Sequence, residues 1–262
     1  MDPAHLIIGF VVGFLIGLSG VGGGAILTPL LIFSGVLPMY AVGSSLVYAS
    51  LTKSLGSVLH HRKDNIEFST VKILLLGSVP ASFLGILLLN YLKSKFSFQF
   101  LNAFISSLLA IILILVAIIY FSQIMGSGIK LKNPSKKKLI LAGFIVGITV
   151  QLTSVGSGVL VTLFLLPILV PRKVVGTDVF HAFVLTSFAG MMQFGIGNVL
   201  PSLVLVLLIG SIPGVVIGVS LSSRIPIKPF HIILTFVIFF SGLLLLLKNF
   251  GFIMVTDFLQ EK

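Results

Sequence analysis

There is no cysteine among the 262 residues of this chain. That excludes disulfides, thiolate metal sites and cysteine nucleophiles together. Charge is also scarce: charged residues make up 9% of the chain, against about 25% in a soluble domain. Acidic residues are scarcest of all, six against 17 Lys and Arg. No Walker-type phosphate loop is present, which argues against an ATPase module. The five His are scattered, without partners at metal-ligand spacing, so neither a metal nor a cofactor is expected. The start, Met1-Asp2-Pro3-Ala4-His5, lacks the basic n-region of a signal peptide, and the first apolar segment is expected to be retained.

What the chain does have is apolar length. Hydrophobic residues are 57% and mean hydropathy is +1.23. Eight apolar segments cover 5–35, 38–59, 68–92, 97–122, 139–170, 174–194, 199–222 and 227–248. The expected fold is therefore an all-α integral membrane protein, with the lipid bilayer as its partner. A net charge of +11 would suggest nucleic acid in a soluble protein. Here the basic residues fall between the segments, where they set orientation, and nucleic acid is not expected.

The first and fifth segments run to about 31 residues, more than the roughly 20 a straight span needs. The first contains Gly17-Leu18-Ser19-Gly20-Val21-Gly22-Gly23-Gly24-Ala25-Ile26-Leu27-Thr28-Pro29. Each glycine disfavours helix by about 1 kcal/mol relative to alanine, so two half-helices meeting at a glycine elbow are expected. In hydrocarbon a broken backbone must find partners in protein, cavity water or ligand.

The chain repeats itself. Gly9-Phe10-Val11-Val12-Gly13 matches Gly143-Phe144-Ile145-Val146-Gly147. At the same offset, Ser19-Gly20-Val21-Gly22-Gly23-Gly24 falls on Thr153-Ser154-Val155-Gly156-Ser157-Gly158, and Thr28 falls on Thr162. One residue closer, Val42-Gly43-Ser44-Ser45 falls on Val175-Gly176-Thr177-Asp178, and Gly77-Ser78-Val79-Pro80 on Gly210-Ser211-Ile212-Pro213. This gives a first membrane repeat at 1–125, a basic linker at 126–138 and a second repeat at 139–262. Such duplication is the usual plan of secondary transporters, with substrate at the repeat interface.

Basic residues decide between parallel and inverted repeats, because they favour the cytoplasmic side. If both long segments cross fully, the repeats are parallel and ten basic residues lie on the linker side against six. If both are re-entrant, the repeats invert and the count becomes twelve against four, with Lys53 inside a span. The inverted arrangement is expected, with both termini outside and the linker in the cytoplasm.

The half-helices starting near Gly24 and Gly158 would each present free amides and about half a positive charge to an anion. The expected substrate-binding residues are Ser19, Gly22, Gly23, Gly24, Thr28, Lys53, Gln151, Thr153, Ser154, Gly156, Ser157 and Gly158. Close helix packing is the competing role for the glycines. Lys53 is either an anion attractor or a side chain reaching for the surface. Asp178 and His181, three apart on one helix face, could carry a coupling proton or form a structural pair.

The elbow Ser19-Gly20-Val21-Gly22-Gly23-Gly24 followed by Pro29 resembles the signature of the TauE/SafE family of anion exporters. The run Val42-Gly43-Ser44-Ser45-Leu46-Val47-Tyr48-Ala49-Ser50-Leu51-Thr52-Lys53 is similar to a bacterial and archaeal branch of that family. So are His60-His61-Arg62-Lys63, Val175-Gly176-Thr177-Asp178 and His181-Ala182. The resemblance spans nearly the whole chain and implies export of sulfite or a small organosulfur anion from the cell across the plasma membrane. The second elbow has one glycine fewer, a departure from two-fold symmetry. Expected partners are a small anion and the bilayer, with a homodimer left open. The alternatives are a passive anion channel, a carrier for sulfate or a carboxylate, and an intramembrane serine protease built on Ser19 and His181. The matching Ser154 argues against a unique nucleophile, so an enzyme is not expected.

Overall fold

A computed structural model describes residues 3–19, 23–126, 134–222 and 227–260. Among them the regular elements are all α-helices: α1 Pro3–Ser19, α2 Gly24–Phe33, α3 Pro38–Arg62, α4 Phe68–Lys95 and α5 Phe98–Ile124 in the first half. The second half has α6 Lys136–Thr153, α7 Ser157–Leu165, α8 Pro171–Gly195, α9 Pro201–Ser222 and α10 Ile227–Gln260. The all-α expectation holds. Both long segments break at their glycines, into α1 and α2 and into α6 and α7. Gly22 and most of the basic linker lie outside the described residues.

Local chemistry explains the boundaries. Pro38 and Pro171 stand in the first turn of α3 and α8, where a missing N–H costs nothing and the fixed φ suits a helix. Ser97 and Ser135 cap α5 and α6, accepting from Phe100 N and Lys138 N. Among the described residues, five helical stretches are long and apolar enough to cross a membrane: Phe68–Lys95, Phe98–Ile124, Pro171–Gly195, Pro201–Leu221 and Pro229–Asn249. α3 has the length but is more polar, because Ser44, Ser45, Ser50, Thr52, Lys53, Ser54 and Ser57 interrupt its apolar residues.

The halves interlock. α1 packs along α9, and α6 along α4. At each crossing glycine allows backbone to meet backbone: a Cβ on Gly210, Gly214 or Gly218 would strike the carbonyls of Leu6, Phe10 and Phe14. In the other pair, a Cβ on Gly143 or Gly147 would strike the carbonyls of Leu74 and Ser78. Without a hydrophobic drive between helices in lipid, such close approach is what holds them together. One apolar core joins α1, α2, α5, α9 and α10 with Ala41 and Tyr48 of α3; the other joins α3, α4, α6, α7 and α8 with the start of α5. Each core thus draws on both halves.

Helix directions follow from which residues meet. α1 and α9 run parallel, with Leu6 at Gly210 and Phe14 at Gly218. α4 and α6 also run parallel, with Leu74 at Gly143 and Gly85 at Gln151. α3 and α8 run antiparallel, from Gly43 at Asn198 through Val47 at Gly190 to Gly56 at Val179. α5 and α10 are antiparallel too, with Ser107 bonded to Asn249 and Phe121 against Phe236. The loops interlock in matching fashion. Ser44 Oγ accepts from Leu200 N at 3.1 Å, and 133 residues on, Thr177 Oγ1 accepts from Glu67 N at 3.0 Å.

The start of α1 and the end of α2 lie side by side: Ser34 Oγ is 3.3 Å from His5 Nε2. α1 and α2 are 17 and 10 residues long, or about 25 and 15 Å at 1.5 Å per residue. The first long segment therefore doubles back on itself.

Candidate functional site

The second elbow is a sharp turn. Ser154 ends α6 in the left-handed region at φ 63°, and Gly156 precedes α7 at φ 116°. A non-glycine residue at positive φ is uncommon and must be held there by its surroundings. Here Thr153 Oγ1 bridges the turn, accepting from Val155 N at 3.3 Å and donating to the Thr149 carbonyl at 2.6 Å. The first elbow arrives from the opposite half: the Gly24 backbone lies directly against the Ser154 carbonyl, where no Cβ would fit.

Between them is a small cavity of about 30 Å³. Its walls are Gly24 and Ala25 from the start of α2, Ala49 and Lys53 from α3, Val116 from α5, and Ser154 to Gly158. Lys53 Nζ donates to Ser157 Oγ at 3.1 Å. An ammonium has three donors, so two are left for other acceptors. Ser154 Oγ is buried without a hydrogen-bond partner. The site offers a cation, hydroxyls and the amide end of α7, all suited to an anion. Its volume has room for little more than water.

Of the residues expected to bind substrate, the cavity gathers Gly24, Lys53, Ser154, Gly156, Ser157 and Gly158. Others point elsewhere. Gly23 packs on Ile16. Thr28 is buried inside α2, its hydroxyl unpartnered. Gln151 lies against Gly85 and accepts from Ser82 Oγ at 2.6 Å. Thr153 is committed to its own turn. The backbone of Ser19 ends α1, but its side chain, like all of Gly22, falls outside the described residues.

Asp178 stands behind the α7 start, its Oδ2 3.8 Å from where a Cβ on Gly158 would lie. His181, one turn further along α8, does not join it. Its Nε2 pairs with Ser78 Oγ at 2.9 Å. In the repeat, Tyr48 and Ser211 take the equivalent places, both buried.

Sequence reading missed two features. Ala25, Ala49 and Val116 line the cavity, but small apolar residues carry no signal in an apolar chain. The second is a polar chain at one end of the site. Lys93 Nζ donates to Asn198 Oδ1 at 2.6 Å, Asn198 Nδ2 to Gln193 Oε1 at 2.7 Å, and Gln193 Nε2 to the Gln151 carbonyl at 3.1 Å. Gln193 and Asn198, amides in apolar surroundings, were the available hint. At the opposite end Glu67 sits in the α3–α4 loop. The Ser69 hydroxyl and Lys173 hold its carboxyl below the usual carboxylate range.

A multi-pass helical membrane protein with a small cationic cavity between two broken helices is a transporter by class. Residues 5–245 match the sulfite exporter TauE/SafE family model, and the chain belongs to that family. It is 39% identical over 256 residues to the probable membrane transporter protein YjnA of Bacillus subtilis, covering 94% of this chain and 100% of that one. It is 26% identical over 264 residues to a probable membrane transporter protein of Methanocaldococcus jannaschii, covering 94% and 95%. No solved structure gives a significant match. Family and relatives alike indicate a membrane transporter rather than an enzyme.

Proposed function

We propose that this chain is a secondary transporter exporting a small oxyanion, sulfite or a small organosulfonate, bound near the midplane where the two elbows meet. The observation that carries the reading is the cavity itself, where Lys53, bonded to the α7 start, shares the wall with the α2 start. The binding residues are Lys53, Ser154, Ser157 and the backbone of Gly24, Gly156 and Gly158. Residues 1–125 and 139–262 form two inverted repeats about the 126–138 linker, in the plasma membrane with termini outside and linker cytoplasmic. Four helix pairings support that arrangement. Equivalent helices run antiparallel (α3 with α8, α5 with α10), while α1 runs with α9 and α6 with α4. Inversion requires these directions; parallel repeats would align α3 with α8.

A cavity of only about 30 Å³, too small for an oxyanion, favours a carrier over a passive channel. It has to widen to admit an oxyanion, as alternating access provides when one group of helices moves against another. The test is radiolabelled sulfite flux in proteoliposomes, with sulfate, sulfoacetate, taurine and bicarbonate as competitors. Saturable sulfite flux with counter-flow, uninhibited by sulfate, is the expected result. Movement of a carboxylate or sulfonate in its place would keep the carrier and replace the substrate. Ohmic current would discard the carrier.

A further inference from the structure

Among the described residues Asp178 is the only acidic side chain inside a candidate span. It does not line the cavity, and its Oδ1 is buried without a hydrogen-bond partner. The charge acting on it is that of Lys53 on α3, whose Nζ bonds to Ser157, next to the Gly158 that Asp178 faces. The two make no ion pair; among the described residues the only ion pair is that of Lys173 with Glu67. The ammonium instead stands toward the cavity, bonded to Ser157. Other neighbours supply no compensating charge near it. α4 and α7 bring the hydroxyls of Ser78 and Ser157, α6 brings no titratable group to this level, and His181 on the same helix pairs its Nε2 with Ser78 while its Nδ1 is buried without a partner.

We propose that Lys53 is shared between the transported anion and Asp178, so that anion binding obliges Asp178 to take up a proton. The proposal rests on the oxyanion reading above and adds its coupling. In the empty site one ammonium balances one carboxylate. An anion in the cavity takes the field of the ammonium, and two negative groups then share one cation in a low-dielectric site. Such a site does not keep an uncompensated charge. A proton from the aqueous phase on the anion's side neutralises the carboxylate, and both leave together on the other side, so that export follows the anion's own outward gradient and an inward proton gradient opposes it. For a monoanion the loaded and empty sites carry equal net charge, so the cycle is electroneutral.

The test uses the full-length protein in proteoliposomes with the membrane potential clamped. Sulfite and methanesulfonate serve as probes; the second carries no titrating proton in the working range. Two quantities are read: anion exchange at equal pH, and net accumulation driven by a pH gradient. Wild-type protein is expected to sustain about a tenfold accumulation per pH unit for each proton coupled. Asp178→Asn is expected to keep exchange while losing gradient-driven accumulation. Wild-type flux indifferent to the gradient, or an Asp178→Asn protein that is still driven by it, would overturn the proposal. If Asp178→Asn shows no exchange, Asp178→Glu replaces it: drive displaced along pH supports the coupling, and an unmoved profile overturns it. Absence of all anion exchange in the wild type would remove the oxyanion reading itself, a result distinct from exchange without drive.

Discussion

The two elbows occupy matching places in the sequence, yet among the described residues only the second is chemically furnished. The second supplies Ser154, Ser157, the positive-φ turn at Gly156 and the hydroxyl that holds Lys53. The described part of the first supplies only Gly24 and Ala25 to the cavity. A similar contrast appears beside them. Gly17 packs against the Gly218 backbone on one side, whereas on the other Gln151 fills the equivalent space against Gly85. Duplication preserved the glycine packing that builds the scaffold, and the polar groups diverged on top of it. Symmetry here belongs to the frame, and asymmetry to the site.

The largest expected effect tests the frame on both sides at once. Gly210→Val and Gly143→Val each force a side chain into a backbone carbonyl of the facing helix. Both should abolish monodisperse protein in size-exclusion chromatography. Survival of one but not the other would show that the frame, too, has lost its symmetry. Next is Lys53→Met, which removes the cavity's cation. Flux should fall roughly 10- to 100-fold, the scale of a charge-assisted hydrogen bond at ~1.5–3 kcal/mol.

The hydroxyls separate the elbows more finely. Ser157→Ala should reduce flux about fivefold, matching the ~1 kcal/mol of one hydrogen bond. Thr28→Val at the first elbow deletes a buried hydroxyl that has no partner. Its flux should stay within about twofold of wild type and its thermal midpoint should not fall, because an unsatisfied group contributes no stability. A large loss of flux in Thr28→Val would mean that the first elbow serves the anion as fully as the second. Smallest is Glu67→Gln at the exposed loop pair. The folded-state carboxyl lies below its usual range, so its contribution is present above the unfolded value and fades as pH falls through the folded one. As an exposed pair it should change stability by less than ~1 kcal/mol at neutral pH, measured by thermal unfolding at pH 7 and pH 4.

Much of this architecture was legible in advance, for identifiable reasons. Charge at segment ends, proline at Pro38 and Pro171, and the glycine breaks are all local signals, and α2 to α9 begin and end close to where those signals stand. The site was partly legible because Lys53 is costly in a span and the glycines repeat. What local signals cannot carry is partner choice. Asp178 and His181 share a helix face, but Ser78, far away in sequence, claims the imidazole. Gln151 lies beside the elbow in sequence, yet Ser82 and the space over Gly85 turn it away. The pairing of α1 with α9 is written only in complementary glycines almost two hundred residues apart.

That last pairing bears on how the protein is made. The glycine face of α1, inserted early in synthesis, has no partner until α9, beginning at Pro201, has been produced. The nascent first half must hold the α1–α2 hairpin in the bilayer while its packing surface waits. Translation order and assembly order therefore differ, and a ribosome stalled in the linker would leave a half whose glycine-lined face is still open to lipid.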